Sequence, residues 1–244
     1  MIKVGCCGFT KGMESYFKSF NLVEVQKTFY DLPKLETAEK WRKKAPEDFE
    51  FSLKAWQLIT HPPTSPTYKK ARIKVDNEDK ERYGFFKLTD EVLNAWDETR
   101  KICKALNTRV VVFQCPKSFK PIERNIQNMI TFFQSIDRDN LILAWEPRGE
   151  WNSDIVRELC DKLELVHCVD PLLNLPSIKT NILYFRLHGA YKNNRINYKH
   201  QYTDEELQRL SKICKEIRSE EIYVLFNNVY MDEDAKRFSR IIYH

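Results

Sequence analysis

The 244-residue sequence predicts a (β/α)8 TIM barrel. Eight short β-rich runs are spread along the chain, stretches of helical periodicity separate most of them, and the length suits one α/β barrel of ordinary size. Strands that alternate with helices imply a parallel sheet covered on both faces, and we expect a single domain over 1–244. The active site of such a barrel lies at the C-terminal ends of its strands, so the residues closing these runs should share one mouth.

The first run, IKVGCC (2–7), leads into a short helical stretch at 13–20. The second, LVEVQ (22–26), closes on Gln26 and precedes a helix near 34–44. FEFSLK (49–54) closes on Lys54 and opens the longest irregular stretch, Trp56 to Tyr83, which is expected over the mouth as a lid or as a solvated insertion. The clearest helix is Leu88 to Leu106, where Leu88, Val92, Trp96, Ile102, Cys103 and Leu106 recur at helical intervals. RVVVFQ (109–114) closes on Gln114 before a helix near 121–136, and LILAWE (141–146) closes on Glu146 before one near 152–162. ELVHCV (164–169) runs into Asp170. The link from there to Asn181 holds Pro171 and Pro176 and is too short for a full helix, so the barrel is expected to be irregular around its sixth helix. ILYFRLH (182–188) closes on His188, and Thr203 with Glu206 forms a capping box at the start of a helix over 203–218. The last run, IYVLFN (222–227), closes on Asn227 before a helix near 232–242.

With 42% hydrophobic and 13% aromatic residues the chain has material for a large core. No apolar run approaches the roughly 20 residues that span a bilayer. The N-terminus MIKVGCCGF enters a strand without signal-peptide architecture, so we expect no membrane and a cytoplasmic protein. A net charge of +5 permits anionic partners without naming one. The seven cysteines show no CxxC or zinc-ribbon spacing and read as reduced, mostly buried thiols.

Alternation along a strand groups Tyr184, Arg186 and His188 on one face, Ala144, Glu146 and Arg148 on another, and Glu24, Gln26 and Thr28 on a third. Pointing inward, these faces bring carboxylates, an imidazole and two guanidiniums together. Lys54, Arg148 and Arg186 then suit an anionic group such as that of a sugar phosphate or nucleotide fragment. The alternative is a structural network in which the arginines pair with Glu146, Asp170 or Glu24. His188 is the candidate general acid or base, with Glu146 as the second. Gln26, Gln114, Asp170, Asn227, Asn228 and Tyr191 complete the candidate substrate-binding set, the amides at 227 and 228 reading hydroxyls or forming a turn. Hydrolase- or lyase-type proton transfer fits these parts better than redox chemistry, because no dinucleotide fingerprint is visible and no cofactor is predicted.

Other uses of these residues stay open. His61, Glu146, Asp170 and His188 offer a mixed ligand set for a divalent metal, although no HxH or HExxH spacing occurs and Lys54 and Arg186 would repel the ion. His61, in ITHPP, equally suits a turn. Tyr191 and Tyr198, beside Lys192, Arg195 and Lys199, could stack on single-stranded nucleic acid, as a binder or a metal-dependent nuclease would, or belong to a solvated loop. A non-catalytic scaffold for a protein partner is the third reading.

The segments GCCGF (5–9), VEVQKTFY (23–30), FSLKA with ITH (51–61), FQCP (113–116), WEPR (145–148), FRLHG (185–189) and FNN (226–228) resemble, in order, the domain-of-unknown-function-72 family. The resemblance implies a TIM barrel and assigns no reaction. Cys6 and Cys7 stand where the family tends to have Thr-Ser, Gln26 where it favours Asn, and Gly149 where relatives often carry a histidine before the later Trp, here Trp151.

Overall fold

The computed structural model describes residues 1–192 and 195–243. Its strands in chain order are β1 (Ile2–Cys6), β2 (Leu22–Val25), β3 (Glu50–Lys54), β4 (Val110–Gln114), β5 (Ile142–Glu146), β6 (Val166–Val169), β7 (Ile182–Leu187), β8 (Ala190–Lys192), β9 (Arg195–Asn197) and β10 (Glu221–Phe226). The helices are α1 (Met13–Phe17), α2 (Leu35–Lys44), the single turn α3 (Gln57–Thr60), α4 (Asp90–Leu106), α5 (Glu123–Ser135), α6 (Ser153–Lys162), α7 (Asp204–Glu216) and α8 (Met231–Tyr243). Eight strands close into a parallel barrel in the order β1-β10-β7-β6-β5-β4-β3-β2, while β8 and β9 form a separate antiparallel hairpin. The TIM barrel expected from the alternating runs is therefore present, with element ends shifted by only a few residues.

Alternation along each strand sorts the core into two layers. Phe113, Trp145, Phe185, Leu187 and Phe226 pack outward with helix residues such as Trp96, Phe132, Leu159, Leu207 and Phe238. Val110, Val112, Ala144, Cys168, Tyr184, Tyr223 and Leu225 fill the inside of the ring. At the end away from the mouth, Lys3 Nζ pairs with Glu50 and, at 2.8 Å, with Glu221, and Tyr223 donates to Glu50 at 2.7 Å. This network closes that end.

Helix boundaries follow local chemistry. The Thr203 side chain accepts from the Glu206 amide at 3.2 Å while Glu206 accepts from the Thr203 amide at 2.8 Å, the full capping box. Thr89 accepts from the Val92 amide at the start of α4, and Asn107 ends it in the left-handed conformation. Leu88 departs from expectation. It precedes the cap rather than joining the buried stripe, and it is exposed.

The stretch after β3 folds back on itself. The Gly84 amide donates to the Leu58 carbonyl at 2.8 Å and the Phe86 amide to Ile59 at 2.9 Å, seating Phe86 among Phe113, Phe119, Phe132 and Phe133. Its middle leans on the β2 to α2 connection, where the Arg72 amide donates to Asp31 at 2.9 Å and Trp56 Nε1 to the Tyr30 carbonyl at 3.1 Å. The connection from β6 to β7 contains no helix, as Pro171, Pro176 and its length imply. It turns on Asp170, whose carbonyl accepts from the amides of Leu173 and Asn174. Among the described residues, no helix is long and apolar enough to cross a membrane.

Candidate functional site

A buried ion cluster spans the upper interior of the barrel. Arg186, on β7 and 0% exposed, reaches Glu24 on β2 at 2.7 Å, Glu146 on β5, and the Gln114 side-chain Oε1 on β4 at 3.0 Å. Gln114 and Glu146 are register partners, so one guanidinium meets both. Below it, Tyr184 donates to the second oxygen of Glu24 at 3.0 Å. Above it, Arg148 pairs with Glu146 Oε1. Burial by itself would raise the Glu146 pKa, but Arg148 and Arg186 hold it well below the usual carboxylate range, so Glu146 is ionised.

His188 sits on top of this cluster, its Nε2 3.0 Å from Glu146 Oε1 and its Nδ1 2.9 Å from the Asn227 amide nitrogen. Asn227 accepts in turn from Gln26 at 2.8 Å. This pattern assigns the tautomer with the proton on Nε2, directed at Glu146, while Arg148 Nη2, 2.7 Å from the same nitrogen, is bonded to that carboxylate oxygen. Burial lowers the His188 pKa to about 3, despite Glu146, and the ring is neutral at pH 7. Asp170 has the opposite character. Burial pushes it up to about 7 against the amides of Leu172 and His188, and its Oδ2 is buried without a hydrogen-bond partner. Lys54 closes β3 with its Nζ 3.9 Å from the centre of the Phe29 ring. Burial, then Arg186, draws its pKa down to about 7.

A cleft of about 340 Å³ opens beside these groups, lined by Glu146, Arg148, Trp151, His167, Asp170, Ser177, His188 and Tyr191. The helix-free segment after β6 forms one wall of it. Outward it adjoins a wider hollow of about 1020 Å³ bordered by Lys117, Lys120, Ile122, Leu173 and Tyr191. The β8-β9 hairpin overhangs the cleft: Tyr191, 44% exposed, accepts from Arg148 at 3.3 Å, and Tyr198, 46% exposed, stands edge-on to His188 with ring centres 6.2 Å apart.

The expected site residues therefore divide. Glu146, Arg148, Asp170, His188 and Tyr191 line the cleft, and Gln26, Gln114 and Asn227 brace its inner wall. Arg186 is a correction: enclosed by two carboxylates, it cannot meet a solute and belongs to the structural network. Asn228 is another, because its side chain donates to Asp234 at 2.6 Å and to the His200 carbonyl at 2.8 Å, anchoring α8 rather than facing the cleft. His61 forms the turn that ITHPP suggests, its carbonyl accepting from Tyr68. Among the described residues, no group of three or more His, Cys, Asp or Glu is arranged to hold a metal ion. Asn193, Asn194 and the Lys192 side chain lie outside the described residues, and Arg195 and Lys199 are exposed. His167 was not anticipated, and Tyr198 was expected in a nucleic-acid-stacking or solvated segment rather than beside His188. His167 alternates outward from the barrel axis and reaches the cleft only because the segment at Ser177 bends back to donate to it at 3.0 Å. No strand rule reveals that.

A profile of the family described as "Protein of unknown function DUF72" matches residues 7–242. The chain belongs to the DUF72 family. This DUF72 chain is 23% identical over 243 residues to the UPF0759 protein YunF of Bacillus subtilis (strain 168), covering 89% of this chain and 80% of YunF. The crystal structure of a DUF72 family protein from Enterococcus faecalis V583 superposes with a TM-score of 0.75 at 20% identity, covering 100% of this chain and 98% of the other. A DUF72 family protein from Thermotoga maritima MSB8 gives 0.70 at 22%, with full coverage of both. The barrel extends beyond the family: a D-tagatose 3-epimerase-like protein superposes with a TM-score of 0.60 at 15% identity, covering 99% and 98%.

Proposed function

We propose that this DUF72 protein is an enzyme that binds a small, anionic, hydroxyl-bearing compound in the cleft and moves a proton on it, in a hydrolase- or lyase-type reaction. The observation that carries this reading is Asp170, a cleft-lining carboxyl whose Oδ2 has no partner and whose pKa lies near 7. A carboxyl in that state is suited to accept or return a proton at neutral pH. Glu146 and His188 are bonded to one another and to cations, so they hold the floor of the site while Asp170 does the transfer. Arg148, at the lip, is the cation placed to meet a phosphate or carboxylate group, while the Gln26 and Asn227 amides, bonded to each other, brace the wall behind His188.

Calorimetric titration with glucose 6-phosphate, ribose 5-phosphate and AMP tests the anion contact. Binding of at least one is expected, weakened about tenfold or more in Arg148→Ala, in keeping with the loss of a charge-assisted hydrogen bond. Equal affinity in the two proteins removes Arg148 from the site. The carbon-13 carboxyl signal of Asp170 should titrate near 7; titration near the ordinary value of about 4 would remove its proton-transfer role.

A further inference from the structure

Of the cations Lys3, Lys54, Arg148 and Arg186 in the barrel interior and at its mouth, three are held by carboxylates. Lys3 pairs with Glu50 and Glu221, Arg148 with Glu146, and Arg186 with Glu24 and Glu146. Lys54 differs. It ends β3 at the mouth, is 8% exposed, and among the described residues has no ion pair or hydrogen bond from its Nζ. Its Nζ lies 3.9 Å from the centre of the Phe29 ring, which also meets Tyr30 at 5.1 Å and the neutral ring of His61 at 4.9 Å. The charges that act on it are those of Arg186, Glu146, Glu24 and Arg148, the cluster that floors the cleft.

We propose that Lys54 is an amine nucleophile whose Nζ condenses with the aldehyde or ketone carbon of a small anionic, hydroxyl-bearing compound to form an imine. The inference deepens the reading of the mouth as a small-molecule site and adds that its ligand carries a carbonyl. A lysine that served only as a cationic clamp would be kept charged by a carboxylate. Here, among the described residues, no carboxylate bonds the amine, the charges of Arg186 and Arg148 offset those of Glu146 and Glu24, and burial removes its water, the conditions under which a lysine loses its proton and its nitrogen lone pair becomes available. A lowered pKa, about 7, agrees with that geometry. In the reaction the neutral amine adds to the carbonyl carbon, forming a C–N bond and, after proton transfer from nitrogen to oxygen, a carbinolamine. The C–O bond then breaks, the oxygen leaves as water with the second hydrogen lost from nitrogen, and a C=N bond remains. No oxidant or reductant enters.

Reductive trapping tests the proposal. The whole protein is incubated at pH 7 with glycolaldehyde or dihydroxyacetone phosphate and sodium cyanoborohydride, then mapped by peptide mass spectrometry. The peptide holding Lys54 is expected to carry at least tenfold more adduct than any other lysine peptide, and Lys54→Met to lose that label. Adduct spread over surface lysines, with Lys54 labelled no more than they are, overturns the proposal, and this wild-type map decides even if the variant does not fold. Glycerol 3-phosphate, which has no carbonyl, separates the two readings. If it binds by calorimetry while Lys54 resists trapping, the imine fails and the small-molecule site stands. If glycolaldehyde labels Lys54 while no phosphate compound binds, the imine stands and the anion reading fails.

Discussion

Glu146 carries more of the site than any other side chain, because one carboxylate receives Arg148 and His188 on one oxygen and Arg186 on the other. Together with Glu24 it balances two guanidiniums, so the four-residue cluster is close to neutral inside the barrel. Replacing it in Glu146→Gln removes one negative charge and leaves Arg186 buried with half its compensation. Breaking a buried pair in this way costs about 3–5 kcal/mol, far above the value of an exposed pair. Urea unfolding of the variant should show a loss of that order. A loss below about 1 kcal/mol would mean that water reaches and screens the cluster. The same accounting explains why the sequence, which offered Arg186 both as an anion contact and as a member of a structural network with Glu146 or Glu24, did not decide between the two. Alternation fixes the direction of a side chain, but only the register of β4, β5 and β2 around it determines that two carboxylates arrive first.

At the scale of elements, most of the chain was readable and the two irregular pieces were readable in part. Eight runs became eight barrel strands because apolar β-branched and aromatic residues in short blocks satisfy a sheet buried on both faces. Pro171 and Pro176 announced a helix-free link from β6 to β7, yet nothing local said that this link would wall a cleft beside Asp170 and His188. The β8-β9 hairpin was hidden for a different reason: its strands have three residues each, too few for a periodic signal. Gly189 makes it possible, with φ of +98° and a position where an added Cβ would fall 2.4 Å from the Asn197 carbonyl oxygen. Gly8 has a comparable φ of +119° but open space around it. Gly189→Ala should therefore lose about 1–3 kcal/mol, and more than Gly8→Ala, since both carry backbone strain and only one adds a collision. Thermal unfolding of the two variants compares them directly, and equal losses would show that the hairpin yields without resistance.

Among the described residues three histidines are buried in neutral form, and this sets the sign of the molecule's acid response. Burial lowers His61 to about 3, His167 to about 4 and His188 to about 3. In the unfolded chain each would take up a proton near 6.5. Between those limits the unfolded state binds more protons, so the stability these rings contribute is present above about 6.5 and is lost as pH falls toward their folded values. Asp170 works the other way, because its folded value of about 7 lies above the unfolded one and it gains a proton in the native state first. Three groups against one leaves a net of two protons favouring the unfolded chain. At roughly 1.4 kcal/mol per proton per pH unit, stability should fall by up to about 3 kcal/mol per unit through the middle of the window. Urea midpoints measured at half-unit steps from pH 7 to 4.5 should decline steadily, and the decline should be shallower in His167→Gln, which removes one of the three protons. A midpoint that stays level across this range would mean that the native state already protonates these rings, and that the neutral His188 on which the tautomer at Glu146 depends is not the form present.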